Sequence, residues 1–153
     1  MKTYIAVAAM VAMLCVTPFK ATDISELAPV EVVWLAEENG QILLVTDTED
    51  VGRGANVMEA LSDMKATAIG TIFLDTADYL IVETGAEKFL DQVADSLRPS
   101  CMLCQANQMP DLEEAADFFS VHKWDVTLRQ WQNERMALPV FIEEERRFVW
   151  DAS

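Results

Sequence analysis

Histidine and cysteine are scarce in this chain, whose 153 residues include one histidine and three cysteines. A structural zinc site needs a full tetrahedral set of cysteine or histidine ligands, and beyond residue 21 only Cys101, Cys104 and His122 are of these types. No nucleophile stands beside His122 in the sequence, so we interpret it as a residue of a helix end or loop rather than a catalytic base. The composition predicts neither a metal site nor a cofactor.

Basic side chains are also few, because 11 Lys and Arg stand against 26 Asp and Glu, for a formal net charge of −15. An acidic surface repels phosphate backbones and anionic lipid head groups. This charge argues against a nucleic-acid partner and against a polybasic membrane contact. The acidic clusters at 37–38, 113–114 and 143–145 coincide with predicted turns and a first helical turn, so we interpret them as solvated faces rather than catalytic pairs.

The first residues contain an uninterrupted apolar run, TYIAVAAMVAMLCVTPF, between Lys2 and Lys20. A basic start followed by an apolar core is typical of a secretory signal, and the run is at the lower limit of what spans a bilayer. Residues 1–21 therefore predict a signal peptide or a membrane leader, and residues 22–153 a single domain. With such a leader the domain is exported, and lies in the cell envelope or on the membrane. The alternative is that the run is a strand or helix of the core.

Short β-branched runs alternate with segments of helical periodicity in the rest of the chain. The pattern predicts strands at 30–36, 41–46, 72–74, 79–82, 101–106, 140–142 and 147–150, helices at 56–65, 84–97 and 110–121, and a further helical turn around 128–131. Asn39-Gly40 favours a type I′ hairpin turn, whereas the polar, glycine-containing segment 47–54 predicts a loop. We expect an α/β (α+β) fold, with a mixed sheet of about five or six strands and three or four helices packed on it.

Cys101 and Cys104 form a C-x-x-C motif, the one motif in the chain with a known chemistry. A redox-active dithiol needs its first thiol exposed at a helix N-terminus, where the helix dipole lowers the thiol pKa. Here the intervening Met102 and Leu103 are apolar and the segment has a strand pattern, which places the two Cα atoms roughly 10 Å apart and beyond disulfide reach. We predict two buried structural thiols. A thiol–disulfide oxidoreductase that uses Cys101 and Cys104 is the alternative.

Asp75, Thr76 and Asp78 form a polar link between two apolar strand segments, a position typical of a bulge or a ligand-facing edge. They are the candidate binding residues, and a small-ligand-binding domain is a further alternative. Gly52-Arg53-Gly54 resembles the start of a phosphate-binding G-x-G-x-x-G motif, but Val57 replaces the third glycine. We attribute these glycines to the start of the following helix.

The order of these segments resembles the N-terminal domain of the C-subunit lipoproteins of bacterial spore germinant receptors, the Ger(x)C-like family. The matching segments are the opening Asp…Glu-Leu at 23–27, the hairpin at 30–46, the helix start at 54–61, the strands at 72–82, the core strand at 101–106 and Leu-Pro at 138–139. Members of that family carry a lipidated cysteine followed directly by Trp-Asp, whereas Cys15 here is followed by Val16.

The resemblance implies a non-enzymatic, membrane-proximal domain of a spore-forming bacterium that docks against membrane subunits. We therefore expect an exported or membrane-associated domain that acts through protein–protein contacts, linked to spore germination or the spore envelope. Its expected partner is a membrane or envelope protein. Contact with the bilayer itself would be made by residues 1–21 if the leader is not cleaved.

Overall fold

A seven-stranded mixed sheet is the centre of the computed structural model, which describes residues 27–150 of the chain. The strand order is β4-β3-β2-β6-β7-β8-β9. These strands are β2 (Val32–Glu38), β3 (Gln41–Thr46), β4 (Val51–Gly54), β6 (Tyr79–Glu83), β7 (Met102–Ala106), β8 (Val140–Ile142) and β9 (Arg147–Val149). The predicted fold class is confirmed, although the sheet has more strands than expected. The predicted leader, residues 1–21, lies outside the described residues.

A separate two-stranded parallel sheet joins β1 (Leu27–Pro29) to β5 (Thr71–Phe73). The sequence pattern predicted a strand at 72–74, but that strand pairs with β1 rather than entering the main sheet. Leu74–Thr76 tightens into a short 3-10 helix immediately after it. The strand predicted over 72–74 therefore ends at Phe73, and the 3-10 helix begins at Leu74.

The described helices are α1 (Val57–Thr67), α2 (Leu90–Val93), α3 (Leu112–Val121) and α4 (Leu128–Glu134). Within residues 27–150 no helix is long and apolar enough to cross a membrane. Helix α3 lies on one face of the sheet, where Phe119 packs against Tyr79 of β6 at a ring-centroid distance of 5.3 Å. Helix α1 packs on the other face, against β4. Arg135 at the end of α4 donates two hydrogen bonds to Asp91 of α2, both of 2.9 Å.

Local sequence signals account for the β2–β3 hairpin and for the start of α1. Asn39 and Gly40 have φ values of 53° and 78°, as the predicted type I′ turn requires. At α1, the Asn56 side chain accepts a hydrogen bond of 3.0 Å from the Glu59 backbone N–H. The Glu59 carboxylate in turn accepts a hydrogen bond of 3.0 Å from the Ala55 N–H. The predicted turn is confirmed, and α1 begins where the helix over 56–65 was predicted to begin.

Residues 51–54 form strand β4, so the prediction of a loop over 47–54 was wrong for its second half. The two glycines are there because α1 lies directly on the strand. A Cβ atom at Gly52 would be 2.1 Å from the Ala60 carbonyl oxygen, and one at Gly54 would be 2.4 Å from the Ala60 nitrogen. The glycines thus serve close helix–strand packing rather than the start of the helix, and the G-x-G match needs no phosphate ligand.

Side chains of α1 occupy the outer edge of β4. The backbone N–H of Arg53 donates a 2.9 Å hydrogen bond to the carboxylate of Asp63. The hydroxyl of Thr67 lies 3.5 Å from the carbonyl oxygen of Val51, although the helix carbonyls of Asp63 and Met64 are nearer to it, at 3.0 and 3.2 Å. The helix therefore partners the outward-facing N–H of Arg53 on this edge strand.

The segment 84–97 was predicted as one helix, but only Leu90–Val93 is α-helical, between 3-10 turns at Glu87–Phe89 and Ala94–Ser96. Gly85 has a φ of +99°, and its N–H donates to the Glu87 carboxylate at 2.9 Å, which fixes a turn where the helix was expected to begin. The apolar side chains of Leu90 and Val93 are nevertheless fully inaccessible to solvent. Apolar spacings of three and four residues fit both helix types, so periodicity does not distinguish them.

Between α3 and α4 the chain runs along the edge of β7 that the short strand β8 leaves open. Segment 124–128 lies beside the first half of β7: the Leu103 N–H donates to the Val126 carbonyl and the Leu128 N–H to the Cys101 carbonyl, each at 2.8 Å. The Trp124 indole N–H donates to the Leu103 carbonyl at 2.6 Å. Strand β8 then pairs with β7 only at Gln105. These hydrogen bonds partner the backbone groups of Cys101 and Leu103, which the short strand β8 does not reach.

Candidate functional site

Both cysteines of the C-x-x-C motif lie in the core. Cys104 is in β7, Cys101 precedes that strand, and neither side chain is accessible to solvent. Neither forms a disulfide bond. The predicted burial of these thiols is confirmed.

Burial also works against ionisation of these thiols. It raises the pKa of the Cys101 thiol to about 12, and the nearby Arg98 guanidinium only partly offsets this effect. Burial likewise raises the pKa of Cys104, and the negative charge of an ionised Cys101 would raise it further. Since the thiolate is the reactive form of cysteine, this arrangement opposes the chemistry that a dithiol enzyme needs.

The three candidate binding residues separate in the structure. The Thr76 hydroxyl lies 2.6 Å from the Phe73 carbonyl oxygen and 3.1 Å from the Val30 carbonyl oxygen, and it donates to one or the other, so its hydrogen bond is to the backbone of the chain. Asp78 forms an ion pair with Arg98, and its neighbour Tyr79 begins β6. Asp75 alone of the three lines a cleft. The binding hypothesis for this link stays a prediction, and Asp75 is the member of the link that borders the cleft.

The cleft beside Asp75 has a volume of about 630 Å³ and lies between α1, β5 and the Ala94–Ser96 turn. Its charged lining consists of Lys65 from α1, Asp75, and Asp95 from that turn. Apolar atoms of Leu61 and Phe73 form part of its wall. Sequence reasoning missed Lys65 and Asp95, because only the fold brings α1 and the 94–96 turn next to Asp75.

Two exposed apolar side chains accompany this cleft: Phe73 belongs to its lining, and Ile69 is the neighbour in the chain of the lining residue Gly70. Ile69 is fully exposed and Phe73 is 38 % exposed. We call Ile69, Phe73 and the cleft beside Asp75 the Ile69 corner. Strand β1 runs along it, with Leu27 paired to Thr71. The first described strand, β1, thus lies beside the Ile69 corner.

His122 caps the end of α3, as the sequence predicted. Its backbone N–H donates to the Phe118 carbonyl at 3.0 Å, and its ring stacks on the Phe118 ring with centroids 4.2 Å apart. Among residues 27–150, no group of three or more histidine, cysteine, aspartate or glutamate side chains is placed to hold a metal ion. His122 thus has a structural position in this part of the chain.

Comparison of the chain with protein-family models, with curated proteins and with solved structures gives no match. What the molecule does has to be inferred from its own residues and surfaces.

Proposed function

We propose that this protein is a non-enzymatic, exported or membrane-associated domain that acts through protein–protein contacts, linked to spore germination or the spore envelope. Its partner on this proposal is a membrane or envelope protein. The observation that carries the proposal is the Ile69 corner, where two exposed apolar side chains border a cleft with charged residues on its wall. An apolar patch with a polar rim is a common form of protein interaction site.

The position of the corner in the chain supports a partner at the membrane. The apolar run of the sequence ends before Lys20, and β1 begins at Leu27. The connecting residues 20–26 reach at most about 25 Å when fully extended. If the apolar run is held in a membrane, the Ile69 corner lies within that distance of it and can contact the outer part of a membrane protein.

The burial of Cys101 and Cys104 favours this proposal over the thiol–disulfide alternative. An enzyme of that type needs an accessible thiolate, and here the fold withdraws both thiols from solvent. The segment order that resembles the germinant-receptor lipoproteins supports the link to germination, because the domains it resembles dock against membrane subunits.

Site-specific photo-crosslinking tests the proposal. A photoreactive phenylalanine analogue is placed at position 69 of the full chain in a spore-forming Gram-positive host, and a second variant carries it at position 121. Val121 is a matched control, since it is 76 % exposed and lies at the end of α3. We expect a light-dependent adduct with a membrane or envelope protein from position 69 and none from position 121.

The intact mass of the protein in each cell fraction completes the test. A chain that has lost residues up to about Ala21, or that remains in the membrane fraction, agrees with the proposal. An uncut chain in the cytosol that forms no adduct from position 69 contradicts it. Equal adducts from both positions would show that the Ile69 corner has no special role.

A further inference from the structure

A second surface lies between the β3–β4 turn and the start of α3, on the opposite side of the sheet from α1. It is a groove of about 310 Å³. Its apolar lining comes from Val45 and Val51, which are cross-strand partners, and from Met109, Pro110 and Leu112. Side chains alternate between the two faces of a strand, so Val45 and Val51 point away from Gly52 and from the helix packed on it.

The apolar part of this groove is incompletely covered by the described chain. Val45 and Val51 are half-buried, and Met109 is 50 % exposed. Helix α3 leaves the two valines uncovered because its apolar side packs towards β2 and the aromatic cluster around Phe119. The sheet face at β3 and β4 therefore has room for an added side chain.

Only acidic residues provide charge on the groove lining: Asp47, Glu49, Asp111 and Glu113. Asp47 accepts hydrogen bonds from the Glu31 N–H, and Asp111 caps α3 by accepting from the Glu114 N–H at 2.9 Å. The carboxylates of Glu49 and Glu113 have no hydrogen-bond or ion-pair partner among the described residues. Arg53 is on the same strand face but pairs with Glu38 at 3.7 Å and does not line the groove.

From this arrangement we infer that the groove binds a basic, amphipathic segment of a partner protein. A large apolar side chain of that segment packs on Val45, Val51 and Met109, and flanking lysine or arginine residues face Glu49 and Glu113. Charge complementarity of this kind selects partners and speeds association. Anionic lipid is repelled by the same carboxylates. The proposal adds a second contact surface to the proposed function, and its test does not depend on the Ile69 corner.

Fluorescence anisotropy tests the inference with a fluorescein-labelled amphipathic peptide of leucine and lysine. The control probe has glutamate in place of each lysine. One protein variant combines Glu49→Gln with Glu113→Gln. The matched control combines Glu134→Gln with Glu144→Gln, two exposed carboxylates outside the groove. Both variants lose the same charge, so any attraction by the overall charge of the protein changes equally.

We expect the lysine peptide to bind and the glutamate peptide not to bind. The Glu49/Glu113 variant should raise the Kd about fivefold, and the control variant less than about twofold. Met109→Ser should weaken binding by about tenfold, because it removes the exposed apolar anchor without a change of charge. Equal losses from the two double variants, binding of the glutamate peptide, or no binding of the lysine peptide would each overturn the inference.

Discussion

Replacement of Gly52 by alanine tests the close packing of α1 on β4. The added Cβ would lie 2.1 Å from the Ala60 carbonyl oxygen and 2.7 Å from the Met64 Cβ. Non-bonded carbon atoms are comfortable at about 3.5–4.0 Å, so α1 would have to withdraw from the strand by on the order of 1 Å. The closest atom belongs to the helix backbone, and a change of side-chain rotamer cannot relieve the contact.

This overpacking should lower the free energy of unfolding by about 3 kcal/mol, the upper part of the usual range. The corresponding decrease in Tm is roughly 6–12 °C for a domain of this size. Urea unfolding followed by tryptophan fluorescence measures the change directly. Met64→Ala should not restore the stability of Gly52→Ala, since alanine keeps the Cβ atom at 2.7 Å and the carbonyl of Ala60 remains in place.

Arg53→Ala is the matched control in the same strand, because the Arg53 side chain is exposed. Its effect on the free energy of unfolding should stay within about 0.5 kcal/mol. A loss of less than about 1 kcal/mol for Gly52→Ala would refute the packing argument, given the cost expected for a filled contact. If the variant kept its stability but lost affinity for a phosphate compound, the glycines would be ligand-binding residues after all.

Three further predictions concern the core around β7. At pH 8, iodoacetamide should label Cys101 and Cys104 only after denaturation, as read by peptide mapping, and rapid labelling of native Cys101 would contradict their burial. The pKa of the Cys101 thiol is near 9.0 in the unfolded chain and near 12 in the folded protein. The contribution of this thiol to stability is therefore complete below about pH 9 and is lost as the pH rises towards 12. The Cys101→Ala variant should show a smaller loss of stability across that interval. Trp124→Phe removes the indole donor to the buried Leu103 carbonyl and should lower the free energy of unfolding in urea by about 1–3 kcal/mol. The control Trp150→Phe, at an exposed position, should change it little. Equal effects of the two variants would argue against this hydrogen bond.

Features set by neighbouring residues were predictable from the sequence. Asn39-Gly40 dictates its turn by its own backbone preferences, and Asn56 with Glu59 forms a cap across a single helical turn. The buried strand at 102–106 follows from its apolar residues. In these cases the residues that decide the structure are close together in the chain, so the pattern contains the information.

Features set by distant contacts were not predictable. The sequence around Gly52 has the composition of a loop, and only the approach of α1 explains why glycine is required in a strand. Asp78 pairs with Arg98, so one of the three candidate binding residues has a partner 20 positions away that no local pattern reveals. Lys65 and Asp95 join Asp75 only through the packing of α1, β5 and the 94–96 turn.

The contacts of Asp63 and Thr67 with β4 have a consequence for self-association. An exposed edge strand is a template on which another chain can add a strand, and this is a frequent origin of aggregation. At β4 the carboxylate of Asp63 already accepts from the Arg53 N–H, in the place that a carbonyl of a second copy would occupy. A second strand that added to β4 would therefore have to displace the Asp63 carboxylate from the Arg53 N–H, so the folded helix α1 opposes growth of the sheet at this edge.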